Sequence, residues 1–453
     1  MQKPWFCWGV SCALGFMMMT GGQEVGLQFI PPAIAEAAQV QEVFQVTSLA
    51  KIYGDGEKAA GAALAYPQVI DGQKLSPTDF SVAGKKITAV YTNNRPALTQ
   101  NPVPGRYVIL EFAYENDELA KLKDAPKTAP QNSKPKKQED HREAPMYSDR
   151  QAPDVSLAVR QVHTIWATNG TAYAPTSQAI ANTAVENPEI QGFRTYTYHD
   201  PKTGERIDYE LFLPKGYDGT KKYPLLFFVA DASANTGIPQ MALLQGDGAT
   251  IWASETDQAK HPCIILVPEY TPAHIRKLGM LTDDTNTWTK GLTLVSDLLF
   301  HVMDTYAVDR TRIYGTGQSQ GGMTNIALSD KYPNLFAAQY LVACQWNTQE
   351  MAAMKDEPLW ITVCEGDTKA YPGMNAATTL WKQLGAKVVE NTKPWDSTLS
   401  AEKLSQLAQE LMNKDKTAKI HYTVFAGGSH MYTWTFAYQI PAIRDWLFAQ
   451  RKG

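Results

Sequence analysis

From about residue 191 to the end of the chain, six short stretches carry runs of consecutive apolar residues, many of them β-branched or aromatic: "YPLLFFVA", "PCIILVPEY", "RIYGTG", "AAQYLVACQ", "PLWITVCEG" and "AKIHYTVFAGG". A strand with one wet face alternates apolar and polar residues. A strand apolar at consecutive positions must be covered on both sides. Amphipathic stretches such as "GLTLVSDLLFHVMDTY" and "NAATTLWKQLGA" lie between these runs. The alternation predicts an α/β domain over 191–453, with a mostly parallel sheet and helices on both faces. Ahead of it, "FRTYTYHD" and "ERIDYELFLPKGY", joined at "PKTG", are expected to pair as a hairpin.

Upstream the pattern is different. "VFQVTSLAKIY", "ITAVYTN", "YVILEFAYE" and "DVSLAVRQVHTIWA" alternate apolar and polar residues and are separated by Gly, Pro and Asn. This predicts an all-β sandwich of immunoglobulin type over residues 36–190. Within it, residues 122–153 are charged, proline-studded and almost free of large apolar groups. Such a segment cannot bury enough surface to offset its ordering entropy, so a disordered loop is expected, in preference to a lysine-rich docking segment. At the start, Lys3 precedes a short apolar run, and Ala33 and Ala35 supply a small-x-small cleavage pattern. Residues 1–35 are therefore expected to be a signal peptide, with a retained membrane anchor as the alternative. Export to the cell envelope or beyond would follow.

A formal net charge of -4, with 19% charged residues, offers no basic surface for nucleic acid. Loss of a leader would remove Cys7 and Cys12. Cys263, Cys344 and Cys364 would remain, in apolar runs that suit small buried hydrophobes, with at most one bridge among them. No zinc, thiol or phosphate-loop motif is present, so no metal and no cofactor is expected.

The chemistry is concentrated in "IYGTGQSQGGMTN", residues 313–325. Ser319 stands between Gly317 and Gly321, after a predicted strand and before a predicted helix. A serine on such a turn projects above the sheet, and the following helix N-terminus can stabilise an anion beside it. The flanking glycines let strained backbone pass close to neighbouring chain.

A serine needs a base. With an elbow of this kind, the acid and then the histidine follow later in the chain. His430, in "FAGGSHMYTW", lies after the last predicted strand. His421 and His301 sit inside a predicted strand and helix, His141 lies in the loop, and His163, His199, His261 and His274 precede the serine. For the acid, "VCEGDTKAYPG" offers Asp367, the preferred candidate, and Glu365 as runner-up. An oxyanion would take one backbone N–H from Gln320. It would take the second from Ala232, after the "YPLLFFV" strand, with Asp231 expected to face away. Trp346, Trp252 and Trp288, with Trp434, fall near strand ends and are candidates for a substrate pocket. The segment "ENTKPWDSTLSAEKLSQLAQELMNKDKT" is expected to contribute a helix near the site mouth.

The stretches "FLPKGYDGTKKYPLLFFVADASANTG", "GDGATIWASETDQAKHPCIILVPEY" and "GTGQSQGGMTNIALSDKYPNLFAA" resemble the α/β-hydrolase serine esterases related to predicted peptidases, in particular those with an N-terminal immunoglobulin-like domain. The resemblance is closest over 191–453. It implies hydrolysis of small or polymer-borne carboxylic esters, with Ser319, Asp367 and His430 at the triad positions. Ala230-Asp231 stands where such enzymes carry His-Gly, which bears on the oxyanion loop. Alternatives are a peptidase of the same fold, a carbohydrate acetyl or feruloyl esterase, and an inactive surface-binding protein. A homo-oligomer through the β-sandwich and contact with a cell surface or polysaccharide are further expectations.

Overall fold

The computed structural model describes residues 43–124, 150–283 and 285–453. The expected leader, and most of the loop expected over 122–153, lie outside the described residues.

The first domain contains β1 (Gln45–Tyr53), β2 (Gly56–Ala65), β3 (Phe80–Val82), β4 (Ile87–Asn93), β5 (Tyr107–Phe112), helix α1 (Asp117–Asp124), β6 (Ala158–Gln161), β7 (Ile165–Trp166), β8 (Ala172–Tyr173) and β9 (Ile180–Glu186). Seven strands form one ladder in the order β3-β6-β9-β1-β2-β5-β4, while β7 pairs with β8. Phe80, Val82 and Val159 from one half of the ladder share a core with Val46, Leu64, Val108 and Leu110 from the other. A ladder whose two halves enclose one core is a sandwich.

Strand β2, "GEKAAGAALA", was not legible as a strand, because alanine and glycine are poor strand formers. It is held as a strand by partners on both sides. At Gly61 the Leu110 carbonyl comes so near that a Cβ would lie 2.5 Å from it. The expected 122–153 loop also needs correction at both ends. At its start, α1 continues to Asp124. Asn116 accepts from the Leu119 N–H at 2.8 Å, and two acids in the first turn complement the helix dipole. At its end, Arg150 hydrogen-bonds to Ser233 in the second domain.

The second domain contains strands β10 (Phe193–His199), β11 (Arg206–Phe212), β12 (Tyr223–Val229), β13 (Ile264–Glu269), β14 (Val308–Gln318), β15 (Ala338–Val342), β16 (Leu359–Cys364), β17 (Val388–Glu390) and β18 (Ile420–Phe425). Its helices are α2 (Met241–Leu244), α3 (Glu255–Lys260), α4 (Pro272–Leu278), α5 (Lys290–Thr305), α6 (Gln320–Lys331), α7 (Ala370–Gln383), α8 (Ala401–Lys414), α9 (His430–Ala437) and α10 (Pro441–Ala449). The nine strands order as β10-β11-β13-β12-β14-β15-β16-β18-β17. The β10–β11 hairpin is antiparallel and joins β13 antiparallel; all other pairs are parallel.

The continuous apolar runs are explained by two cores. Leu225, Phe227 and Val229 of β12 face a cluster with side chains of α5, α6 and α7. Leu226 and Phe228 face another with α2, α8, α9 and α10. Each such side chain taken from water contributes about 1.5–3 kcal/mol. Cys263, Cys344 and Cys364 are free thiols buried in these cores. Burial pushes the Cys263 and Cys364 thiols up to about 12, so both stay protonated. Among the described residues, no helix is long and apolar enough to cross a membrane.

Candidate active site

Strands β14, β16 and β18 run parallel, so their carboxyl ends open at one edge of the sheet. Ser319, Asp367 and His430 each follow one of those ends. In open α/β sheets this is the edge where ligands bind.

Ser319 caps α6 with φ 52° and ψ -121°, a strained backbone for a residue with a side chain. The strain is held by close packing around the turn. A Cβ on Gly321 would lie 1.7 Å from the Val229 carbonyl, and one on Gly317 2.4 Å from the same oxygen. Only glycine lets α6 start this close to β12. The Ser319 N–H donates to the Val342 carbonyl at 3.0 Å.

His430 Nε2 lies 2.8 Å from Ser319 Oγ, and His430 Nδ1 lies 2.6 Å from Asp367 Oδ2. A carboxylate accepts only, so this pairing keeps the proton on Nδ1 and leaves Nε2 to accept from the serine hydroxyl. The Asp367 residue is 2% exposed. Burial pushes its carboxyl up, but the His430 bond and N–H groups of Ala370 and Lys369 outweigh that and hold it below the usual range. Glu365 is exposed and turns elsewhere, accepting from the Gly427 N–H at 3.0 Å.

The loop after β12 is tied to the residues on either side of Ser319. Asp231 Oδ1 accepts from the Ser233 N–H at 2.7 Å, capping the short turn Ala232–Ala234. Its Oδ2 accepts from the Gln318 side-chain amide at 3.4 Å. Asn235 and Gln320 exchange two amide hydrogen bonds, at 3.0 and 3.2 Å. The loop carrying Ala232 is therefore fastened to the residue after the serine. Sequence reasoning missed this pair, because Asn235 and Gln320 are 85 positions apart and belong to no motif.

The expectations for Trp252 and Trp346 need correction. Trp252 is 1% exposed; its turn folds onto the helical layer, where the ring packs on Tyr438 and Phe448 and its N–H donates to Gly248. Trp346 is 5% exposed, packs in the core and donates to Glu350 Oε2 at 2.6 Å. Trp288 is half-buried, its edge against Tyr332 and its face under Lys331 Nζ at 3.9 Å. Trp434 meets the His430 ring edge-on at 5.2 Å. Burial of the apolar Trp252 and Trp346 rings outweighs exposure at a strand end. The expected insertion helix is α8, which packs on α10 through Leu404, Ala408 and Leu411 on the face shared with Phe425. Of the other histidines, His301 stacks on Tyr198, and the ring of His421 lies between Trp360 and Trp446. Among the described residues, no group of three or more His, Cys, Asp or Glu side chains could hold a metal ion.

Residues 45–174 match the family of esterase immunoglobulin-like N-terminal domains. The crystal structure of a thermostable esterase matches with 25% identity and a TM-score of 0.69, over 90% of this chain and 100% of that one. Weaker likenesses, which show no more than a distant similarity, include a feruloyl esterase module from Clostridium thermocellum (14% identity, TM-score 0.38, 58% of this chain and 89% of that one). Another is a glucuronoyl esterase from Solibacter usitatus (14% identity, TM-score 0.38, 57% and 81%). No curated protein matches the sequence. The chain is an α/β-hydrolase with an N-terminal immunoglobulin-like domain, and it resembles the esterases built in this way.

Proposed function

We propose that this chain is an exported serine hydrolase that cleaves carboxylic esters through an acyl-enzyme. The observation that carries the reading is the unbroken line of hydrogen bonds from Ser319 Oγ to His430 to the buried Asp367. His430 Nε2 accepts the serine proton as Oγ attacks the ester carbonyl carbon. The resulting oxyanion is met by the backbone N–H of Gln320, at the start of α6, and by that of Ala232. His430 then gives its proton to the departing alcohol. A water, deprotonated by the same imidazole, attacks the acyl group and restores Ser319. Asp367 keeps its negative charge throughout, orienting the ring and stabilising the imidazolium.

Export is supported by the character of residues 1–35 alone. Ester rather than peptide cleavage is supported by the likeness to the thermostable esterase. The test is steady-state hydrolysis of p-nitrophenyl acetate against peptide anilides by wild type and Ser319→Ala. Ester turnover should fall by about 10⁴–10⁶ in the variant. Faster turnover of anilides than of esters would assign a peptidase instead.

A further inference from the structure

Helix α9 begins at His430 and is only eight residues long. Both of its ends rest on the immunoglobulin-like domain. At the N-terminal end, Ser429 is the cap, its Oγ accepting from the Tyr432 N–H at 3.2 Å. The same hydroxyl donates to Glu118 Oε2 of α1 at 3.3 Å. Glu118 is buried, and Lys121 Nζ meets its other oxygen at 2.5 Å. At the C-terminal end, Gly54, in the turn between β1 and β2, packs against the backbone of Thr435. A Cβ there would lie 2.1 Å from the Thr435 carbonyl.

The two contacts are parts of one unit. Asp55, in that same turn, accepts from the Asp117 N–H at 2.9 Å and from the Tyr114 hydroxyl at 2.8 Å. Lys58 Nζ bridges Asp55 and Asp117, at 2.9 and 2.8 Å. The turn and α1 thus grip the histidine helix from both ends.

We propose that Glu118 is a positioning residue of the active site, fixing through the Ser429 hydroxyl the cap that aims His430 at Ser319. The proposal rests on the reading of Ser319 and His430 as the reacting pair. The physical ground is the sensitivity of that pair to geometry. A capping hydroxyl can turn its hydrogen and lone pairs several ways. The Glu118 carboxylate takes the hydrogen, which leaves a lone pair directed at the Tyr432 N–H and closes the first turn behind His430. A displacement of about 1 Å at a reacting group can cost on the order of 10²-fold in rate. No motif in the sequence marks this role, since Glu118 and Ser429 are 311 positions apart and in different domains.

The test uses the full chain with Glu118→Ala, Glu118→Gln, Ser429→Ala and the double alanine variant. Glu118→Ala should lower kcat for p-nitrophenyl acetate by roughly tenfold with KM unchanged. Glu118→Gln retains an acceptor oxygen and should recover most of that loss. The double variant should be no slower than the slower single one, because both remove the same link. A His430 Nδ1–H proton resonance that shifts or broadens in Glu118→Ala, and returns in Glu118→Gln, would report the same displacement without any turnover. Wild-type kcat and an unmoved resonance in Glu118→Ala would overturn the proposal. So would equal losses in the alanine and glutamine variants, or losses that multiply in the double variant. Failure of the wild type to turn over any ester would count against the hydrolase reading and leave the resonance to decide the positioning role.

Discussion

The Asp367 carboxylate meets His430 Nδ1 at 2.6 Å, while Glu365, leaving the same strand, bonds to the Gly427 backbone N–H instead. Asp367→Asn should therefore cut kcat by about 10⁴, because an amide can donate to Nδ1 and favours the wrong imidazole tautomer. Glu365→Gln keeps an acceptor for Gly427 and should leave kcat within about threefold of wild type, a change below 1 kcal/mol. Steady-state kinetics of the two variants on one ester check this. The reverse order of effects would give the acid role to Glu365.

The reciprocal amide bonds between Asn235 and Gln320 carry a second prediction. Asn235→Ala leaves the buried Gln320 amide without its partner, at a cost of about 1–3 kcal/mol. Tm should drop, and kcat should fall by roughly tenfold, as one of the two N–H groups proposed to meet the oxyanion, worth about 10²–10³ when lost entirely, becomes misaligned. Wild-type kcat together with wild-type Tm would show that the loop is held in some other way.

His421 gives a pH dependence of stability. It is 3% exposed, stacked on Trp360 at 4.8 Å, and its Nδ1 has no hydrogen-bond partner. Burial disfavours the charged ring and lowers its pKa to about 4. The unfolded chain therefore binds this proton more readily than the folded one. The contribution of the neutral His421 ring to stability is fully present above the ordinary histidine range and is lost as pH falls from about 6.5 to about 4. The loss amounts to about 3 kcal/mol, at 1.36 kcal/mol per pKa unit. In calorimetry, His421→Phe should flatten the decline in Tm between pH 7 and pH 5. An unchanged decline would place the acid sensitivity elsewhere.

The sheet and the elbow were legible because they leave local marks. Consecutive apolar residues such as Leu225 to Phe228 require two covered faces, and Gly317 and Gly321 allow a backbone approach that any Cβ would block. What stayed hidden is set by distance along the chain or by competing burial. Strand β2 exists because of its neighbours rather than its own propensity. Trp252 and Trp346 read as pocket walls from their positions at strand ends, yet their large apolar rings were taken into the core. The links Asn235–Gln320 and Glu118–Ser429 join residues that no spacing rule connects.

The most direct measurement is covalent labelling with a fluorophosphonate followed by peptide mass spectrometry. The reagent reacts with a serine whose proton is removed by a neighbouring base. A single adduct is expected on the peptide carrying Ser319, abolished in Ser319→Ala and slowed by several orders of magnitude in His430→Ala. Folded protein that remains unlabelled, or an adduct on any other serine, would contradict it.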